Sequence, residues 1–266
     1  MRLDNPFDLF LILQVTALAM ARAIGMTLFL PFLSRQQTSG MVRTAICLGL
    51  SLPTAATLWP GFISAPPGMA ALVLIAIKEA LLGALLGMLV ALPFWTVRGM
   101  GTLIDNQRGA NAAQQANPAL QADATLLGEL SERALVAFLI DLGLLQTAFT
   151  ALAASHAQWP VLEMFPVFDT ARQHAVFQAL GSCIAQAVLL AGPALLLLLL
   201  IELALAISST AVQGFDVYAS AMAVKTLSAL LIFALIAVPL FDKVAGDTLQ
   251  WWQEGVMDTL GLRPLR

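Results

Sequence analysis

From Gln173 to Ile201 the chain carries no formal charge, and Leu195 to Leu200 are six consecutive leucines. A bilayer core is crossed by about 20 apolar residues in helical form, with a range near 17 to 25, so this stretch predicts a membrane-spanning helix. Pro193 lies inside it and is expected to bend it, because proline removes a helix hydrogen bond and crowds the preceding turn. The same character runs through the sequence. Hydrophobic residues make up 59% and charged residues 11%, against roughly a quarter charged in soluble domains. An integral, all-α membrane protein is therefore expected. The formal charge of -3 is spread without any basic or acidic block, which excludes nucleic acid as a natural partner.

Six apolar segments can be drawn: Phe7 to Leu33, Val42 to Leu58, Met69 to Pro93, Leu126 to Ala154, Ala179 to Ile207 and Thr226 to Phe241, the last of them short. The first is read as a retained membrane segment. Ala17 to Ala23 offers small-x-small patterns, but Asp4 and Asp8 oppose the single Arg2 and the apolar run continues to Leu33. Trp59, Trp95, Trp159, Trp251 and Trp252 lie at segment ends, where interfacial anchors are expected. Lys and Arg divide evenly between the two sets of connections, so charge bias sets no orientation. Cys47 and Cys183 sit in apolar runs and read as free, buried thiols.

Several segments carry ionisable residues in their middles: Arg22, Lys78, Glu79, Glu129, Glu132, Arg133, Asp141 and Glu202. A charge at the centre of a membrane helix costs at least about 2.5 to 3.5 kcal/mol, so these groups must face protein or water. Glu129, Arg133, Ala137 and Asp141 recur every four residues and share one helix face. A buried ion-pair stripe holding helix to helix is the preferred reading, ahead of a proton relay. Glu79, Gly83 and Gly87 repeat the spacing, and Gly83-x-x-x-Gly87 permits close backbone approach. This third segment is expected to be buried in an assembly.

The connection Ser208 to Met222, with Gly214, Asp216 and Tyr218, joins two apolar helices into an antiparallel pair. The tail, Asp242 to Arg266, mixes Trp251, Trp252, Val256, Met257 and Leu260 with charges, and reads as an amphipathic helix on the membrane surface or on a partner. Enzyme constellations are thin. His156 and His174 are too far apart for a helical metal pair and read as interfacial or loop residues, and there is no H-E-x-x-H, C-x-x-C, phosphate-binding loop or nucleophile elbow. No catalytic site and no cofactor are expected.

Function is expected in the stretch from Lys78 to Pro118, where an oily helix delivers a polar, glycine-punctuated segment. Gly99, Gly101 and Gly109 are read as hinge points, while Asn106, Gln107, Asn111, Gln114 and Gln115 offer uncharged hydrogen-bonding groups. Arg98 to Pro118 is thus the expected moving part. Asp105 and Arg108 form either an ion pair that helps hold a closed state or an ordinary solvated pair.

The run K-E-A-L-L-G-A-L-L-G, then P-F-W, then G-T-L-I-D-N-Q-R-G-A resembles the export-apparatus membrane protein of bacterial type III secretion systems, the SctT/FliR family. Ile104 to Ala110 carries the most specific match and looks more like the injectisome branch, associated with virulence, than the flagellar one. The six segments, the length, and Lys225 after a polar turn extend the resemblance over the whole chain, 1–266, as a single domain. One departure lies in the last hairpin: Gln213 is present, but Val212 replaces the usual Pro and no Arg occurs between Glu202 and Lys225.

The resemblance implies a noncatalytic subunit of an inner-membrane export gate, built from helical hairpins and projecting toward the periplasm. It implies SctR-like and SctS-like small membrane subunits and an SctU-like switch protein as partners, with lipid around them and unfolded polypeptides as cargo. It further implies that a loop at about 101–120 plugs the closed pore, with Gly101, Ile104, Asp105, Asn106, Gln107, Arg108, Gly109 and Asn111 as its gating residues. Lys78, Glu79, Gly83, Gly87, Glu129, Arg133, Asp141, Glu202 and Lys225 are then the helix-packing and buried-charge positions. The competing reading is a small-solute secondary transporter using Lys78, Glu79, Glu129, Arg133 and Asp141 as a midplane site.

Overall fold

In the computed structural model, which describes residues 6–34, 37–109, 125–163, 170–211 and 217–261, helices and their connections account for every element found. The order is α1 (Pro6–Thr27), a 3-10 turn (Pro31–Leu33), α2 (Gly40–Ser64), α3 (Met69–Arg108), α4 (Leu126–Asp141), α5 (Leu144–Gln158), α6 (Thr170–Ala211), α7 (Val217–Gln250), a π-helical turn (Trp251–Gly255) and α8 (Val256–Leu260). Five helices, carrying Leu9–Thr27, Gly40–Ser64, Met69–Arg108, Arg172–Ser208 and Ala221–Leu260, are long and apolar enough to cross a membrane. The fold class expected from the apolar segments is therefore the one found.

Two differences have local causes. The fourth segment is divided, because Gly143 takes the left-handed conformation (φ 85°) between α4 and α5. L-residues with a side chain avoid that conformation, so the glycine breaks the helix there. The short sixth segment lies inside the longer α7, which runs to Gln250 with Pro239 in its interior.

The chain forms two compact units, one from Met1–Ala91, Gly143–Ala179 and Leu249–Arg266, the other from Leu92–Leu142 and Leu180–Thr248. In the first, Val15, Leu18, Ala19, Leu58, Phe62, Ile75 and Val161 make a buried apolar cluster. Here α1 and α3 touch backbone to backbone. A Cβ on Gly83 would collide with the Arg22 carbonyl, one on Gly87 with that of Met26, and one on Gly25 with that of Ala80. Glycine is required at these crossings for lack of room. The small-residue face predicted on the third segment thus receives a helix of the same chain.

In the second unit α4 lies against the later part of α3, where a Cβ on Gly101 would come within 2.5 Å of the Leu127 carbonyl oxygen. Phe241 stacks on Phe138 at 5.8 Å and meets Phe233 edge-on at 6.2 Å. Most of the apolar surface of α6 and α7 is exposed, including Leu196, Leu199, Leu203, Leu227, Leu231 and Leu235.

The tail differs from its expectation. Trp252, Val256 and Leu260 are buried in the first unit, so the apolar face of 249–261 packs within this chain. Trp159 is buried as well. Its role and that of Trp252 is internal packing, which corrects the reading of all five tryptophans as interfacial anchors.

Candidate functional site: two buried carboxylates on α3

Glu79 is fully buried, and an isolated carboxylate there would be prohibitively costly. It is held by a fork from α1: Arg22 Nε donates to Glu79 Oε2 at 2.7 Å and Nη2 to Oε1 at 3.0 Å. Arg22 is itself fully buried and gives two further donors to Ser155 Oγ (3.0 Å) and the Trp159 carbonyl (2.8 Å). Lys78 Nζ approaches Glu79 Oε1 at 2.8 Å and donates to the carbonyls of Val161 and Glu163 at 2.8 and 2.7 Å. Two cations and one carboxylate thus tie α1, α3, the end of α5 and the turn after it. The lone cation of the first segment and the lone anion of the third were legible as charges needing partners. Ser155 and the carbonyls of 159–163 were not, because backbone acceptors leave no mark in a sequence.

His156 sits beside this group on α5, one of the helices too short to span a membrane. Its Nδ1 lies 2.9 Å from the Leu152 carbonyl, and its Nε2 is buried with no hydrogen-bond partner among the described residues. Burial, reinforced by the Arg22 charge, pushes the ring down to about 4, so it is neutral at physiological pH. It is a half-buried residue of α5, which corrects its assignment to a loop.

Asp105 is the second fully buried carboxylate. Its Oδ2 accepts from the backbone N–H of Leu127 (2.8 Å) and Gly128 (3.3 Å), and its Oδ1 accepts from Arg108 Nε (2.8 Å). The first amides of a helix have no partner within it, and its amino end carries partial positive charge. Thr125, at the capping position of α4, makes no side-chain cap. Asp105 of α3 supplies the acceptor, so one side chain closes the connection between the two helices. Gly101 and Gly128 make the approach possible, since a Cβ on Gly128 would stand 2.7 Å from Thr102 Oγ1.

This corrects the boundary of the polar segment. Gly101 to Arg108 is helical, with Ile104 buried, and Gly109 (φ 91°) ends α3 as its left-handed cap. Gly101 serves close packing and is no hinge. The expected moving part therefore begins at Gly109, and Asn111, Gln114 and Gln115 lie outside the described residues.

Gln107 Nε2 donates to Glu202 Oε2 at 3.4 Å, and Lys225 Nζ pairs with the same oxygen at 2.9 Å, joining α3, α6 and α7. Positions 212–216 of the last hairpin, including Val212 and Gln213, lie outside the described residues. On α4 the expected buried stripe is turned outward. Arg133 pairs with Glu129 at 3.0 Å with 66% of its side chain exposed, and Asp141 is exposed. The buried charge is Glu132, which takes a bond from Arg98 Nη1 at 3.1 Å. Each charged pair named here is satisfied within its own unit. Among the described residues no cluster of His, Cys, Asp and Glu could hold a metal ion.

Comparison with known proteins matches residues 13–250 to the family described as bacterial export proteins, family 1. The chain is 28% identical to the Yop proteins translocation protein T of Yersinia pestis over 249 residues, covering 92% of each. It is 30% identical to the surface presentation of antigens protein SpaR of Salmonella typhimurium over 236 residues, covering 88% of this chain and 86% of that one. Identity to the flagellar biosynthetic protein FliR of Caulobacter vibrioides is 22% over 231 residues, covering 87% and 91%.

Proposed function

The chain belongs to the bacterial export proteins, family 1, and from that premise we propose that it is the subunit of a type III export gate that contributes the plug of the channel. Its place is in the export apparatus of the bacterial inner membrane, which accords with its five membrane-length helices. In the proposed role it packs with SctR-like and SctS-like subunits and an SctU-like switch protein, performs no catalysis, and lines the path of unfolded polypeptides. The exposed apolar faces of α6 and α7 support packing against such hydrophobic partners or lipid.

The observation that carries the reading is the Asp105 clasp. A polar connection beginning at Gly109 is tied at both roots by one buried carboxylate, so the end of α3 and the start of α4 are held together where it leaves and returns. The clasp supports a plug that changes shape without unravelling α3 or α4. The test is deletion of 110–120 in a chain that still co-purifies with two smaller hydrophobic proteins. Ion leakage across the inner membrane is expected to rise several-fold, and unchanged leakage in that assembled complex would sink the plug assignment.

A further inference from the structure

Pro93 lies within α3 and has no N–H to give to the carbonyl of Leu89, four residues earlier, while its ring crowds the turn that holds Leu89 and Val90. Leu89 and Val90 are buried, at 0% and 1% exposure, so water does not reach them. A buried carbonyl without a donor costs as much as a lost hydrogen bond. Both carbonyls nevertheless have donors. Trp251 Nε1 lies 3.0 Å from the Leu89 oxygen and Trp252 Nε1 lies 3.0 Å from the Val90 oxygen. Consecutive residues of an ordinary helix diverge by about 100°, yet these two indoles reach consecutive carbonyls. They do so from the π-helical turn Trp251–Gly255, which widens the helix where both are presented. A Cβ on Gly255 would collide with the Trp251 ring, so the glycine makes room for the indole in this position.

We infer that the proline break of α3 is an intramolecular docking site for the C-terminal segment, with the Leu89 and Val90 carbonyls as acceptors and the two indole N–H groups as the recognised donors. Pro93 and Trp251 are then a compensating pair: the proline creates the vacancy that the tryptophan fills. Val256 and Leu260, fully buried one and two turns beyond, complete the docked face. The proposal rests on no reading of what passes through the protein.

The test is a double-mutant cycle on the full-length chain, read by amide hydrogen exchange over 249–261. Trp251→Phe keeps an aromatic ring and removes the donor. Exchange is expected to rise about tenfold, the factor corresponding to one buried carbonyl left without its bond. Pro93→Ala restores an N–H to the Leu89 carbonyl. In that background Trp251→Phe is expected to raise exchange by no more than about twofold, a non-additivity that contacting pairs show and independent sites do not. Equal effects of Trp251→Phe in both backgrounds would overturn the inference. Should Trp251→Phe fail to accumulate, recovery in the Pro93→Ala double variant upholds the pair, and failure of both variants refutes it.

Discussion

Glu79 and Asp105 sit on the same helix, both carry an acidic group, and both are fully buried, yet their surroundings assign them opposite kinds of work. Glu79 is neutralised by cations, Arg22 from a distant part of the chain and Lys78 beside it, and through them it gathers α1, α5 and a turn. Asp105 is held mostly by backbone amides at the start of the next helix and by an arginine three residues away. The first is a knot between remote elements and the second closes one local connection. A buried carboxylate is explained by what donates to it, and here the donors separate scaffold from candidate moving part.

The sharpest way to break the contrast is Glu79→Ala. It strands Arg22 without a counter-charge, and breaking a buried pair in this way costs about 3 to 5 kcal/mol. The chain is expected to vanish from the membrane fraction on immunoblots; wild-type levels with an unchanged Tm would show that the knot holds nothing. Asp105→Asn should cost less, about 1 to 2 kcal/mol, because an amide oxygen still accepts from one backbone N–H while the charge is lost. Its expected signature is local: faster exchange at Leu127 and Gly128, with the first unit's protection unchanged. Equal loss of protection in both places would erase the distinction. Smallest is the effect of removing the exposed Arg133 by Arg133→Ala, in which half-buried Glu129 loses an i,i+4 contact worth about 0.3 to 0.5 kcal/mol. A shift in Tm of many degrees would mean that this face of α4 is covered in the assembled protein.

The sequence made the helices legible through apolar run length, and it made the charges legible as groups in need of partners. It was less informative about which way a charged face turns. Glu129 and Arg133 share a stripe by periodicity, but Leu127, Gly128, Ser131 and Glu132 form the buried side of α4, and spacing alone ranks neither face as inner. Gly101 was misleading for a related reason: a residue made small by the nearness of Leu127 looks the same in one dimension as a residue made small for freedom. The tail shows the limit most plainly. Trp251, Trp252, Val256 and Leu260 announce an apolar face, but the acceptors of the two indoles are buried main-chain oxygens, those of Leu89 and Val90, 162 positions earlier.

The part of α3 inside the first unit, Met69–Ala91, is about 35 Å of helix at 1.5 Å per residue. Hydrocarbon is about 30 Å thick, so a tilt of about 30°, inside the usual range, brings its two ends to the interfaces. Gly83 and Gly87 bring α1 against this stretch backbone to backbone. Lipids of different chain length should therefore tilt the two helices together.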